Sequence, residues 1–366
     1  MSISRTGLAF LAACGLLVGC QSTAAPAQSA PLADETATLQ QRFDGLQPGQ
    51  TLTLDQRTYG HGGVLKISVP GVTIDGHGAT LQALNDETSS VQVVADNVTV
   101  RNLTLTAPTE GKRWGAPNQQ KLAVLGTQGV TLDDITVNGS AAAGVFVQGA
   151  HNFKLSDIRV ANTRADGVHV TGGATDGTLT RISTAGTGDD GVAVVSYGSE
   201  PPCQHITITG PVVNGTTNGR GLAVVGGEHI SARNISVNDT AAAGIYVATE
   251  GDPYNTGSVS DVSIADGTVT AANHDSSTVN GAILVYGGRD DVSLTNVRLS
   301  RLSVTGTPES AQRDVGLIVD HGTVAGIEFS GLRLDGSAVT PFVTNAPAGT
   351  FATTDWTQDG KPLSVG

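Results

Sequence analysis

A short block, small-x-Gly-apolar-x-apolar, returns along most of this 366-residue chain. It reads A-A-A-G-V-F-V at 141–147, R-A-D-G-V-H-V at 164–170, G-D-D-G-V-A-V at 188–194, N-G-R-G-L-A-V at 218–224 and A-A-A-G-I-Y-V at 241–247. Related forms are V-N-G-A-I-L-V at 279–285 and Q-R-D-V-G-L-I-V at 312–319. The marker glycines Gly144, Gly167, Gly191, Gly221 and Gly244 are spaced by 23, 24, 30 and 23 residues. Between them lie two further strand patterns, such as Asn97-Val-Thr-Val and His205-Ile-Thr-Ile, then Asn102-Leu-Thr-Leu and Asp157-Ile-Arg-Val. Each repeat thus holds three short period-two strands separated by Gly, Asn or Asp turns. One such unit cannot bury its own apolar face, so the units must stack.

The expected architecture is therefore all-β: a right-handed parallel β-helix, a solenoid of three parallel sheets, the hand following the general preference of parallel crossovers. Residues 37–49 read as a short amphipathic helix capping the first coil, and the less regular stretch from about Thr340 covers the last. In the marker strands Val145, Val168, Val192, Leu222 and Ile245 are expected to point inward. Phe146, His169, Ala193, Ala223 and Tyr246 then form an outward row across which a polymer can lie. Longer turns at 195–204 and 248–258, and an insertion at 107–121, are placed to wall that face.

Composition agrees: 48 Gly, one Met and only 14% charged residues suit a turn-rich β protein better than a helical one. The net charge of −13 argues against nucleic acid and against a densely acidic polymer as partner. Arg5 followed by an apolar run from Leu8 to Val18 has the length of an export signal, not of a membrane span. Leu17-Val18-Gly19-Cys20 is similar to a bacterial lipobox, which implies acylation of Cys20. Residues 1–19 are then a lipoprotein signal peptide, 20–36 a flexible tether, and 37–366 a single β-helix domain. Without an acidic residue directly after Cys20, the similarity to Gram-negative lipoproteins implies the outer membrane, with the anchor the sole membrane contact. Cys14 leaves with the signal, so Cys203 stands alone and no intrachain disulfide is available. A monomer is expected.

Asp166 and Asp190 each sit directly before a marker glycine on adjacent coils, with Asp189 one place earlier. Coils stacked about 4.8 Å apart bring these carboxylates onto one patch, where like charges raise at least one proton affinity. One carboxyl can then serve as acid while its neighbours stay ionised. Asp133-Asp134 and Asp290-Asp291 fall at turns outside the marker register and carry no expected chemistry. Three oxygen-bearing side chains would also suit a hard cation such as Ca2+. No other cofactor is expected, since dinucleotide, Walker and H-E-x-x-H patterns are missing.

The run N-T-R-A-D-G-V-H-V, G-T-G-D-D-G-V-A-V, N-G-R-G-L-A-V-V-G-G from Asn162 to Gly227 resembles the polygalacturonase family of pectin-lyase-like β-helix glycoside hydrolases, closely over about 90 residues. The resemblance implies hydrolysis of O-glycosyl bonds with inversion, Asp189 as general acid, and Asp166 and Asp190 activating water. It also marks two departures. Gly219-Arg220-Gly221 stands where the family has G-H-G, and Tyr246-Val247-Ala248 where it has R-I-K. In that family the basic residues grip the galacturonate carboxylate, so the sugar cleaved here is expected not to be galacturonate. Arg220 is the remaining catalytic candidate, as partner of the acid. His169, Tyr246, Tyr197, Trp114 and Arg164 are the candidate sugar contacts, and His205 and His229 read as turn residues. Two other readings stay open: a polysaccharide lyase or uronan epimerase with Arg220 as base, and a non-catalytic glycan-binding surface protein.

Overall fold

The computed structural model describes residues 31–365; the expected signal peptide, Cys20 and most of the tether lie outside them. The chain winds into stacked coils whose strands pair in parallel throughout, apart from one terminal hairpin between Trp356–Gln358 and Lys361–Leu363. The marker strands form a continuous eleven-stranded parallel sheet from Leu65–Ile67 to Thr340–Thr344. The other two faces expected from sequence are present, but hydrogen bonding joins them into one eighteen-stranded sheet. The join is a single left-handed residue per coil. Asn102, Asp134, Asp157, Arg181, Asn234 and Arg301 all have φ between 49° and 57°, so long strands such as Lys154–Thr163 fold round the corner unbroken. Asn and Asp tolerate this conformation because their short side chains bond locally. A second corner is built in the same way by Asn97, Asn152, Asp176, His205, His229, Asp261 and Asn296. His205 and His229 are thus turn residues, their rings stacked 5.0 Å apart on successive coils. Asp134, from one of the two extra Asp pairs, is a corner residue too, and Asp291, from the other, is a left-handed turn residue ahead of the second corner.

Inward residues pack as one core along the helix axis, with Val145, Val168, Val192, Leu222 and Ile245 wholly buried. The marker glycines are present because the wall opposite is too close for a side chain. A Cβ on Gly144 would lie 2.3 Å from Val160 Cγ1, and one on Gly191 2.5 Å from Val213 Cγ1. The first coil is plugged by the helix Thr36–Asp44, which buries Leu39 and Phe43. The body begins earlier than the expected boundary after residue 36: Glu35 N donates to Gly60 O at 2.8 Å, and Asp34 pairs with Gly60. The last coil is closed by Phe329, Phe342, Phe351 and Trp356, packed mainly edge to face. Both plugs cover apolar core and free strand edges that open ends would expose.

The apolar rule is broken where a charged side chain takes the marker-glycine place, as Lys121 and Asp314 do. Lys121 is entirely buried. Its Nζ donates to Ser89 O at 3.0 Å and lies 2.9 Å from His61 Nε2. Burial pushes the Lys121 amine down to about 7 and, with Lys121 beside it, His61 down to about 3. A folded-state value below the unfolded one means the unfolded chain binds more protons, so this pair costs most stability at neutral pH and below. Lys121→Met should raise the melting temperature at neutral pH, with the gain shrinking as pH approaches the ordinary lysine range near ~10; thermal unfolding across pH checks both.

Candidate active site

The turn before each marker glycine is built alike. Thr163 and Thr187 hydroxyls donate to the carbonyls of Ala165 and Asp189 at 2.7 Å, and Thr216 Oγ1 to Gly219 O at 2.6 Å. These bonds tighten the corner, so the residue ahead of the glycine projects onto the outer face of the marker sheet. Backbone pairing then stacks Asp166, Asp190 and Arg220 in strict register: Gly167 N reaches Asp190 O and Gly191 N reaches Arg220 O. Their side chains continue the ladder. Asp166 Oδ1 accepts the Asp190 N–H at 3.0 Å, and Asp190 Oδ1 accepts the Arg220 N–H at 2.7 Å.

Asp189 joins them from one residue earlier, and one oxygen from each of Asp166, Asp189 and Asp190 lies within 4.8 Å of the others. Asp166 Oδ2 is also bonded to His169 Nδ1 at 2.5 Å, and the imidazole stacks on Phe146. Asp190 is buried, and that burial holds its carboxyl well above the usual range despite the Arg220 guanidinium 3.8 Å away. Asp189 is less enclosed, and burial with the neighbouring Asp166 charge raises it against the pull of Arg113. Arg113 Nη2 meets Asp189 Oδ2 at 2.7 Å. Guanidinium groups thus stand against Asp189 and Asp190, and His169 against Asp166, while the three carboxylates remain close enough together to suit a hard cation as well.

Arg220 is fully engaged. Its guanidinium bonds Glu250 Oε1 at 2.8 Å and lies 4.3 Å from the centre of the Tyr246 ring. Tyr246 Oη donates to the same Glu250 oxygen at 3.0 Å. Burial opposes the Arg220 charge, but Asp190, Tyr246 and Glu250 together hold it protonated above its ordinary value. Burial also raises the Tyr246 phenol, and Tyr197 is pushed up to about 12. Neither tyrosine is set up to ionise.

The outward row has the expected register, Phe146 to His169 to Ala193 to Ala223 to Tyr246. It is not the open surface expected. Ala193, Ala223 and Tyr246 are buried in a second apolar cluster beneath Tyr197 and Tyr286. Small residues on two central coils make room for the larger side chains to fold over them, so the face becomes a cleft. A pocket of about 460 Å3 lies at its centre, lined by the three aspartates, Arg113, His169, Tyr197, Arg220 and Glu250 among others. It shares Arg113 and Asn218 with a hollow of about 590 Å3 on one side, and Glu250 and Tyr254 with one of about 700 Å3 on the other.

Two long turns make one wall. Gly198 N bonds Asn255 O at 2.7 Å, Gly257 N bonds Ser196 O at 2.8 Å, and Arg289 Nη1 ties the Asn255 and Thr256 carbonyls. The opposite wall is the 107–121 insertion. Arg164, expected to touch sugar, instead pins this insertion through Asp86 Oδ1 at 2.5 Å and the carbonyls of Lys112 and Pro108. Trp114 lies beneath Lys112 Nζ and is outside the central pocket's lining. Glu250, Asp86 and Tyr254 were not legible as site residues, since each stands alone in a turn or at a strand end; Arg113 was marked only by its insertion.

Residues 120–299 match the family model described as a right handed beta helix region. The chain is a right-handed parallel β-helix. No curated protein sequence matches it. Among solved structures, the catalytic domain of a GH87 alpha-1,3-glucanase in complex with tetrasaccharides superposes with a TM-score of 0.68 at 16% identity, covering 90% of this chain and 68% of that one. The Agl-KA catalytic domain gives 0.72 at 17% identity, covering 92% and 66%. The exopolygalacturonase of Thermotoga maritima gives 0.67 at 12% identity, covering 90% and 87%. This chain thus spans about two thirds of the first two domains. In the GH87 enzyme, three aspartates were each replaced by Ala in sugar-bound structures, and they lie 23 residues and one residue apart. Asp166, Asp189 and Asp190 have the same spacing.

A buried Asp190 held above its unfolded value destabilises the fold wherever the unfolded chain would ionise it. Asp190→Asn is therefore expected to raise the melting temperature at neutral pH while abolishing any turnover. The stabilisation should disappear toward pH ~4, where unfolded Asp is protonated too; calorimetry across pH tests this.

Proposed function

We propose that this protein is a polysaccharide-active glycoside hydrolase that inverts configuration and acts on a glycan other than galacturonan. The observation that carries this reading is the triad of carboxylates at register on adjacent coils, at the base of a cleft continuous with a hollow on either side. Burial and mutual charge hold Asp189 and Asp190 above the ordinary carboxylate range, the condition for keeping a proton near neutral pH. Asp189, the more accessible, donates its proton to the leaving oxygen. Asp166 deprotonates the attacking water and Asp190 helps to orient it, with His169 fixing Asp166 and the Arg220 N–H fixing Asp190. The spacing shared with the three aspartates replaced in the GH87 alpha-1,3-glucanase structures supports a functional part for this trio.

The Arg220 environment supports a sugar without a carboxylate. Its charge is met by Glu250 and Asp190, so it offers little to a uronate, and an acidic rim would repel one. The same pairing disfavours the lyase or epimerase alternative. An arginine held charged by two carboxylates is a poor proton acceptor. For the non-catalytic alternative, elevated carboxyls clustered in a cleft are an unfavourable way to build a passive surface.

The nearest carboxyl oxygens are closer than the usual inverting separation of about 6.5–9.5 Å. We attribute this to three carboxylates sharing one patch, where two hold water together. Export and anchoring through Cys20 complete the proposal, placing the cleft where envelope or extracellular glycan is met.

Purified residues 33–366, which keep the whole capping helix and the pairing of Asp34 to Gly60, should release reducing ends from a neutral polysaccharide without the ultraviolet absorbance of an unsaturated uronate. Asp189→Asn should lower kcat by roughly 10²–10⁴-fold with the fold intact by circular dichroism. Proton NMR of the first product should show the anomer opposite to the linkage cleaved. Retention would overturn the inverting assignment, and unsaturated product would overturn hydrolysis.

A further inference from the structure

Arg113 stands in an unusual relation to the proposed acid. The backbone on both sides of it is tied down: Lys112 O accepts from Arg164 Nη1 at 2.7 Å, and Trp114 N donates to Ala141 O at 2.9 Å. Arg164 in turn is fixed by Asp86. The side chain itself is 54% exposed, and its ion pair is with Asp189 at 2.7 Å. The guanidinium end of the pair is open to water, which hydrates and screens it, so the guanidinium can swing while its Cα stays put. It also lies where substrate must pass, since Arg113 lines both the central pocket and the adjoining hollow. A sugar seated against Asp189 Oδ2 occupies the space the guanidinium fills.

We propose that Arg113 is a substrate-displaced latch on Asp189. The entering sugar pushes the guanidinium aside, and the freed Asp189 carboxyl then carries the proton that the leaving oxygen receives. Arg113 is a positioning residue, acting through Asp189 rather than on the reacting bond. The charged and titratable groups around Asp189 are Asp190 beside it, Asp166 on the preceding coil with His169 next to it, Arg220 on the following coil with its partner Glu250, Tyr197 and Tyr254 on the facing wall, and Arg113 on the insertion. Only Arg113 bridges to Asp189 from the insertion, and among these cations it alone is so exposed. In the free enzyme it favours the ionised carboxyl. Its departure leaves Asp189 enclosed with Asp166 and Asp190, which favours the proton.

This inference rests on the hydrolase reading. It is tested with Arg113→Gln by measuring pH profiles of kcat and kcat/KM on the glycan the wild type cleaves. The profile of kcat/KM reports the free enzyme and that of kcat the bound complex. Without Arg113 the free enzyme's Asp189 keeps its proton to higher pH, so the alkaline limb of kcat/KM should move up. The limb of kcat should stay in place, because the latch is already open in the wild-type complex. KM should fall, since substrate no longer displaces the guanidinium, and Arg113→Lys should restore part of the wild-type profile. If both limbs move together, Arg113 stays on Asp189 in the complex and the latch is wrong; if neither moves, Arg113 does not control the proton at all. Asp189→Asn in the same assay separates the two failures: undiminished kcat there overturns Asp189 as the acid, on which the proposed mechanism rests, and not the latch alone.

Discussion

Parallel stacking at about 4.8 Å per coil is the constraint on which the rest of this molecule depends. Register is inherited from coil to coil through backbone hydrogen bonds, so a residue type repeated in sequence becomes a ladder in space. The inward ladder of Val, Ile and Leu makes the core. The corner ladders of Asn, Asp and a few His make the bends. The ladder ahead of the marker glycines makes the site, because there the repeat substitutes Asp, Asp and Arg on three successive coils. A fold that fixes register this rigidly can hold like charges together, since the coils cannot slip apart to relieve them.

The site uses that rigidity in two directions. Along the axis, each carboxylate accepts the N–H of the next coil, so Asp166 and Asp190 are oriented by backbone as well as by side chains. Across the axis, two walls of insertions close over a row of small residues. One wall is locked by backbone bonds between the two long turns, the other by Arg164 and Asp86. Arg220, Tyr246 and Glu250 form a closed polar triangle at the cleft's edge, replacing the basic grip seen in the polygalacturonase pattern with an internally neutralised one.

The core and corners were legible because they are periodic. A strand's in–out alternation and a left-handed Asn or Asp recur every coil, and repetition exposes them. The three aspartates were legible for the same reason, as departures from the repeat at a fixed place in it. Their partners were not. Arg113 lies 76 residues from Asp189, and the groups that fix the neighbouring arginines are as remote, Asp86 lying 78 residues from Arg164 and Glu250 30 from Arg220, in turns or at strand ends whose course no period dictates. Arg164 was legible only as a neighbour of the aspartate register; that its length carries it to the insertion was not.

By itself the sequence determined the solenoid, its capping and the trio of carboxylates, since these follow from spacing and from the need of each coil to bury one face. Only the tertiary structure decided that the outward row is a roofed cleft and not an open track, and that Arg220 is charge-paired. It alone put Arg113 on Asp189. Those outcomes depend on where insertions fold back over the sheet, and contacts made by non-repeating loops carry no signature in a repeating chain.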